Sequence, residues 1–253
     1  PMDRMIHTAF NSLKNIYDQR FRTSNNLANV NVPGFRRDLA DESGSMNLSF
    51  DGQLSARSLG LETGKSAFSK AQGTISETGV DTDVSVVGDG YMFTQPRNGL
   101  VALSRRGDLT LDAEGTLIDG SGSQILDRGL QPIVIPSYRE IQIQETGEIL
   151  VDALSTPSGE FTSYGFIGTT NPDPATLFKD IDGQIRVEGG AVPAADPQVK
   201  IVQGMLEAAN VNSVEELVSS MELQRQFEIS IKFISLAKEI DEGGSQLMRM
   251  PEG

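Results

Sequence analysis

Two amphipathic stretches at opposite ends of the chain, with a glycine-rich middle between them, set the first constraint on its fold. From Met2 onward, apolar or small residues fall at Met2, Ile6, Ala9, Leu13, Ile16, Thr23 and Leu27, in steps alternating four and three, with Arg20 as the one break. That stepping belongs to a coiled-coil seam rather than to the broad face of a globular helix. A helix from Asp3 to Ala28 would be roughly 40 Å long. Pro33 disfavours the α conformation at Val32 and Gly34 supports a turn, so the helix is predicted to end near Asn29 to Asn31. At the other end, Ser213 and Glu216 read as a capping box. Val214, Leu217, Val218, Met221, Phe227, Ile231, Ile234 and Ile240 then give a second helix a broad apolar face, and Gly243-Gly244 is predicted to stop it. Neither stripe can be buried locally. The two ends must find each other or a neighbouring molecule.

Between Val80 and about Lys200 the pattern changes to short alternating runs: VDTDVSVVGDGYMF, LVALSRRGDLTLDAEGTLIDG, IQIQETGEILV and EFTSYGFIG. Asp89-Gly90, Asn98-Gly99, Glu114-Gly115, Asp119-Gly120 and Asp182-Gly183 punctuate them as turns. The expectation is an α+β chain whose terminal helices pair as a coiled-coil-like domain, with an antiparallel β domain, barrel or sandwich, inserted between them. The divisions fall at 1–35 for the first helix, 36–79 for a linker, 80–203 for the β domain and 204–253 for the last helix. Within the linker, Met46, Leu48, Phe50, Leu54, Leu59, Leu61 and Phe68 stand isolated in polar sequence. They read either as parts of a flexible connection or as pegs that dock on neighbours.

Composition removes several functions. The net charge is −14, from 35 acidic against 21 basic residues, which repels nucleic acid and disfavours anionic membrane surfaces. There is no cysteine, so thiolate catalysis, disulfides and cysteine-held metals are excluded. His7 is the single histidine, and no histidine pair exists to hold a metal. No window approaches the length of a membrane span, and residues 1–15 hold no apolar run of signal-peptide length. Export, if it occurs, is expected without a cleaved leader.

Four segments in order carry a family resemblance. SNNLANVNVPGF (Ser24 to Phe35) and GMLEAANVNSVEELVSSMELQRQFEISIK (Gly204 to Lys232) resemble the terminal signatures of the flagellar basal-body rod and hook family. TDVSVVGDGYMF and SRRGDLTLDAEGTLIDGSGSQIL resemble its β-hairpin segments. The opening MDRMIHTAF and the modest length look most like the proximal rod members, with the distal rod members as close rivals. Pro33 and Tyr91-Met-Phe depart mildly from the common pattern. The resemblance implies a helically arranged drive-shaft subunit, passed through the flagellar type III export apparatus and assembled in the periplasm. Its partners would be copies of itself and other rod proteins. The residues themselves offer no catalytic, cofactor or metal constellation, and neither nucleic acid nor membrane insertion is expected. The rival from another class is a secreted β-domain binding module with dimerising helices.

The candidate site is therefore an assembly interface: Ile6, Leu13, Ile16, Asn25, Asn26, Leu27, Asn29, Gly34 and Phe35 at one end, and Leu217, Met221, Gln224, Arg225, Phe227, Ile231 and Ile234 at the other. Asn25, Asn26, Asn29 and Asn31 exceed what one helix cap needs, so both capping and contacts to adjacent subunits are expected of them. Two readings stand for Gln224-Arg225 and Phe227, one as an ordinary polar face and core residue, the other as contacts to a neighbour. GLETGKS (60–66) has only three residues between its glycines and fails as a phosphate loop. Arg106-Gly107-Asp108 reads as a turn between strands, and Asp180-Ile-Asp182-Gly183 lacks the further ligands of a calcium loop.

Overall fold

The computed structural model describes residues 2–40, 46–48, 57–59 and 66–247, and the side chains of 9–40, 66–240 and 242–244. The chain divides into two units, one formed by both ends up to Ala28 and from Asn212, the other by Asn29–Val211.

The terminal unit holds α1 (Met2–Ala28) and α2 (Ser213–Leu247). They pack against each other and run antiparallel. Asn26 Nδ2 lies 3.5 Å from Glu216 Oε1, and the Arg20 guanidinium sits 5.2 Å from the Phe227 ring centroid. In α1 the 4/3 stripe is the side turned inward, with Ile16 and Thr23 buried and Leu13 and Leu27 half-buried. Arg20, the break in that stripe, sits half-buried over Phe227, where its charge meets the aromatic face. Two details of α2 differ from expectation. Asn212, not Ser213, caps it, its Oδ1 accepting from Val214 N at 3.0 Å and Glu215 N at 3.4 Å. Nor do Gly243 and Gly244 stop it. A glycine costs a helix about 1 kcal/mol but raises no steric barrier, and elongation of a nucleated helix is cheap.

The second unit is β-structure. In chain order its strands are β1 (Met46–Leu48), β2 (Arg57–Leu59), β3 (Ile75–Glu77), β4 (Val84–Val86), β5 (Tyr91–Gln95), β6 (Ala102–Ser104), β7 (Leu109–Leu111), β8 (Leu117–Asp119) and β9 (Gln124–Ile125). There follow β10 (Tyr138–Ile143), β11 (Glu148–Ala153), β12 (Phe161–Phe166), β13 (Thr169–Thr170), β14 (Leu177–Lys179), β15 (Ile185–Val187), β16 (Ile201–Gln203) and β17 (Met205–Glu207). The main sheet runs β14-β15-β6-β5-β9-β8-β7, with β13 also on β5. A second sheet is β10-β11-β12, and the pairs β16-β4 and β17-β3 bring the end of the unit back to its start. All these pairings are antiparallel. The main sheet does not close, which corrects the barrel expectation. Its β14 edge is covered by the chain itself, through reciprocal hydrogen bonds between Ser66 and Lys179.

Successive side chains of a strand point to opposite faces, and β5 uses both. Met92 enters a core with Val84, Ile125, Ile149 and Ile167, whereas Tyr91 and Phe93 enter another with Phe68, Leu103 and Leu126. Phe68, read as a peg for a neighbour, is thus buried within its own unit. Met46, Leu48 and Leu59 lie in strands whose side chains are outside the described set, and Phe50, Leu54, Leu61 and most of 60–66 lie outside the described residues.

Gly107 is where β4 approaches most closely. Val84 N donates to Gly107 O at 2.9 Å, and a Cβ on Gly107 would stand 1.7 Å from Val84 O. The flanking Arg106 and Asp108 are forked together at 2.7 and 2.9 Å. Gly107→Ala is expected to push β4 aside and destabilise the β unit by about 1–3 kcal/mol, read as a lower urea midpoint. An unchanged midpoint would refute the close-approach account.

Candidate assembly site

The two terminal signatures meet within the β unit. Beyond α1, Val32 N donates to Asn29 O at 3.0 Å and Phe35 N to Val32 O at 3.2 Å, which turns the chain. Gly34 then lies flat on the neighbouring backbone. Its N donates to Glu207 O at 2.7 Å, its φ is +67°, and a Cβ there would stand 2.3 Å from Arg105 O. Only glycine meets both demands. Asn210 N donates to Phe35 O, Arg37 N donates to Asn210 Oδ1 at 2.6 Å, and Asn210 Nδ2 donates to Ser69 O and Ala71 O. The side chain of one asparagine thus ties three segments together.

At the centre of this crossing is Glu207. One carboxylate oxygen accepts from Arg36 Nη1 and from Gly73 N at 2.9 Å, and the other from Arg105 Nε at 2.7 Å. All three charged side chains are buried. Arg105 spends its remaining donors on the carbonyls of Val86, Gly88 and Gly90. Burial pulls the Arg105 guanidinium below its ordinary range, and Glu207 works against that pull. Beside it, Lys179 Nζ donates to Arg36 O and to Asp38 Oδ1, both at 2.5 Å, and sits 4.0 Å from the centroid of the Phe35 ring. Gly34 and Phe35 are therefore engaged by their own β unit.

The remaining expected interface residues sort by exposure. Leu13, Ile16, Asn26, Leu27, Phe227 and Ile234 are buried or half-buried, while Asn25 and Asn29 are half-buried. Leu217, Met221, Gln224, Arg225 and Ile231 face solvent. Arg225 pairs with Glu222 of its own helix at 2.6 Å, and Gln224 bonds Glu228. The side chain of Ile6 is outside the described set. Sequence reasoning missed a set of exposed apolar residues on both helices. Phe10, Tyr17 and Phe21 of α1 are 69%, 68% and 71% exposed, comparable to Met221 at 73%. Ile229, Phe233, Leu236 and Ile240 of α2 are also exposed, and only Ile240 had been placed on an apolar face. The missed signal was the same stepping displaced by one residue from the buried seam. The four α2 residues follow one another at 4, 3 and 4. No described helix is long and apolar enough to cross a membrane.

Asp180 and Asp182, which lack the further ligands of a calcium loop, hold Arg186. Asp182 accepts from Arg186 at 2.7 and 2.8 Å, and Asp180 at 3.0 Å. These bonds, opposed by burial and aided by Gln184 N and Asn98, bring the Asp182 pKa from 3.8 to about 2. A depressed carboxylate contributes stability above its unfolded pKa and loses it as pH falls through the folded one. Asp182→Asn is expected to cost about 1 kcal/mol at pH 7 after solvent screening. The variant should also melt with a weaker dependence on pH between 4 and 2, and identical acid profiles would dismiss this pair.

Comparison with known proteins gives matches along most of the chain. Residues 85–151 match the flagellar hook protein FlgE/F/G D1 domain, and residues 202–247 match the flagellar basal body rod FlgEFG protein C-terminal family. The chain is 29% identical to the flagellar basal-body rod protein FlgF of Salmonella typhimurium, over 98% of this chain and 100% of that one. It is 28% identical to FlgF of Caulobacter vibrioides, over 94% and 95%. To the flagellar basal-body rod protein FlgG of Buchnera aphidicola it is 30% identical, over 88% and 92%.

Proposed function

The chain belongs to the flagellar basal-body rod protein family, and from that membership we propose that it is a structural subunit of the proximal rod, polymerising helically into the drive shaft that carries torque from motor to hook. The observation that carries the reading is the terminal unit. Its two helices cover only one stripe of each other and leave large aromatic and aliphatic side chains in water on both. Exposed apolar clusters of that size mark interaction surfaces. The inward stripe of α1 fits a coiled-coil type of seam, and the outward faces would then pack on neighbouring subunits around the rod axis. Torque would be spread over many such contacts. The proximal position is favoured over the distal one by coverage, since the Salmonella FlgF is spanned from end to end. Passage through the type III export apparatus without a cleaved leader, and assembly in the periplasm, belong to the same proposal.

Deleting the gene should abolish swimming, and electron microscopy of basal bodies should find the labelled chain in the lower rod. A label in the distal rod, or none in the rod, would overturn the assignment. The asparagines give a finer test. Asn25→Ala with Asn26→Ala is expected to impair swimming while the β unit melts as before. Undiminished swimming would remove the pair from the assembly interface.

A further inference from the structure

The chain turns between β5 and β6 at Pro96 to Gly99, where Gly99 N donates to Pro96 O at 3.0 Å. The tip of that turn is Asn98-Gly99. Both residues are exposed, and Asn98 is the only asparagine in the chain that glycine follows. The order matters chemically. A peptide nitrogen one residue beyond an asparagine can reach the side-chain carboxamide carbon and close a five-membered ring, an intramolecular attack favoured by proximity. A side chain on the second residue hinders the closure, and glycine has none. Around Gly99 the space is open, since a Cβ there would meet nothing within 4 Å. The carboxamide itself is held from two sides. Leu100 N donates to Asn98 Oδ1 across a long 3.4 Å, which polarises the carbonyl and points at the oxygen that gains charge on attack. Asn98 Nδ2 donates to Asp182 Oδ2 in the turn between β14 and β15. That bond tethers the group that has to leave, and Arg186 fixes Asp182 in turn.

We infer that Asn98 is a self-modification site of the folded chain, closing on Gly99 N to a succinimide and reopening as aspartate and isoaspartate, at a pace set by the tie to Asp182. In the first step the bond from Gly99 N to Asn98 Cγ forms and the bond from Cγ to Nδ2 breaks. Ammonia leaves with the proton that Gly99 N gives up. Water then adds to one of the two ring carbonyls. Opening on one side restores the backbone with an aspartate side chain, and opening on the other routes the backbone through the side chain. Before attack, Gly99 N must release Pro96 O, a bond at an exposed tip that water replaces at small net cost. Asp182-Gly183 has the same spacing, but its carboxylate is ionised and offers no leaving group comparable to ammonia. Either product of Asn98 brings a carboxylate to where a donor faced Asp182, whose pKa of about 2 keeps it charged. The tie becomes a repulsion. The two turns, which carry the exposed Leu100 and Ile181, are then pushed apart.

The full-length chain would be kept folded at mildly alkaline pH and, in parallel, unfolded in guanidinium. Digests of both would be read by mass spectrometry for the mass gain of amide-to-acid exchange and for isoaspartate. The folded chain should convert at Asn98 ahead of every other asparagine, giving both products, and more slowly than the unfolded chain. Asp182→Ala, checked by melting to be folded, should convert roughly fivefold faster, the factor that one ordinary hydrogen bond is worth. Asn98→Ser should show no gain in that peptide. A folded chain that keeps its amide while the unfolded one converts would overturn the site. Aspartate without isoaspartate would overturn the ring, because direct hydrolysis gives aspartate alone. An unchanged rate in folded Asp182→Ala would overturn Asp182 as the pace-setter.

Discussion

Glu207→Ala is expected to destabilise the β unit by about 3–5 kcal/mol, because it leaves two buried guanidinium groups without their shared counter-charge. The carboxylate serves three donors at once: Arg36, Arg105 and the amide of Gly73. Arg105 keeps its three backbone carbonyls, but carbonyl dipoles do not neutralise a cation. Arg36 and Gly73 N each lose a buried partner, which adds a desolvation penalty of its own. For a unit of this size, each kcal/mol lowers the melting temperature by about 2–4 °C, so a fall of roughly 10–15 °C is expected by calorimetry. Glu207→Gln keeps the volume and one acceptor yet removes the charge, and it should fall between the two. If alanine and glutamine variants both melt within about 2 °C of the unmodified chain, the arginines are held by their carbonyls and the carboxylate is incidental.

The same cluster shows what a sequence cannot express. Glu207 and Arg36 are 171 positions apart, and no periodicity links them. Periodicity states which side of an element is apolar, not what that side meets. For that reason the α1 stripe was legible from its 4/3 steps, and the alternation around Met92 announced a strand. The placement of Gly34 and Phe35 was not legible. Both look like interface residues in a motif at a helix end, and both turn out to be engaged by Glu207 and Lys179 of their own β unit. The cap of α2 moved by one residue because Ser213 and Asn212 are both competent caps, and backbone geometry chose between them. The open sheet was hidden for a related reason. Alternation and turns fit barrel and sandwich alike, while the edge is settled by Ser66 reaching Lys179, a long-range pairing. The α2 face is hard to read because it is broad. Its apolar residues surround most of the helix, so a list of them cannot separate the inward Leu223 and Phe227 from the exposed Phe233 and Ile240.

Met221→Lys separates stability from assembly most sharply. Met221 lies on the outward side of α2 and is 73% exposed, so a charge there should change the folding of the isolated chain by no more than about 0.5 kcal/mol. In the assembled rod the same position would be buried against a neighbour, and an unpaired ammonium there costs several kcal/mol unless it shifts its pKa or finds a partner. A penalty of 3 kcal/mol weakens each contact roughly 150-fold, at about 1.4 kcal/mol per factor of ten. Every subunit carries the lesion, so the loss recurs at each joint of the polymer. Swimming should therefore fall to that of the deletion strain, while circular dichroism and melting of the purified chain remain as before. Leu223→Ala is the matching control. Leu223 is buried in the seam between α1 and α2, and its truncation should lower the stability of the terminal unit itself, by about 2–4 kcal/mol. Normal swimming in the Met221→Lys strain would mean that this side of α2 faces solvent in the rod, and the neighbouring subunit would then have to be sought on another face.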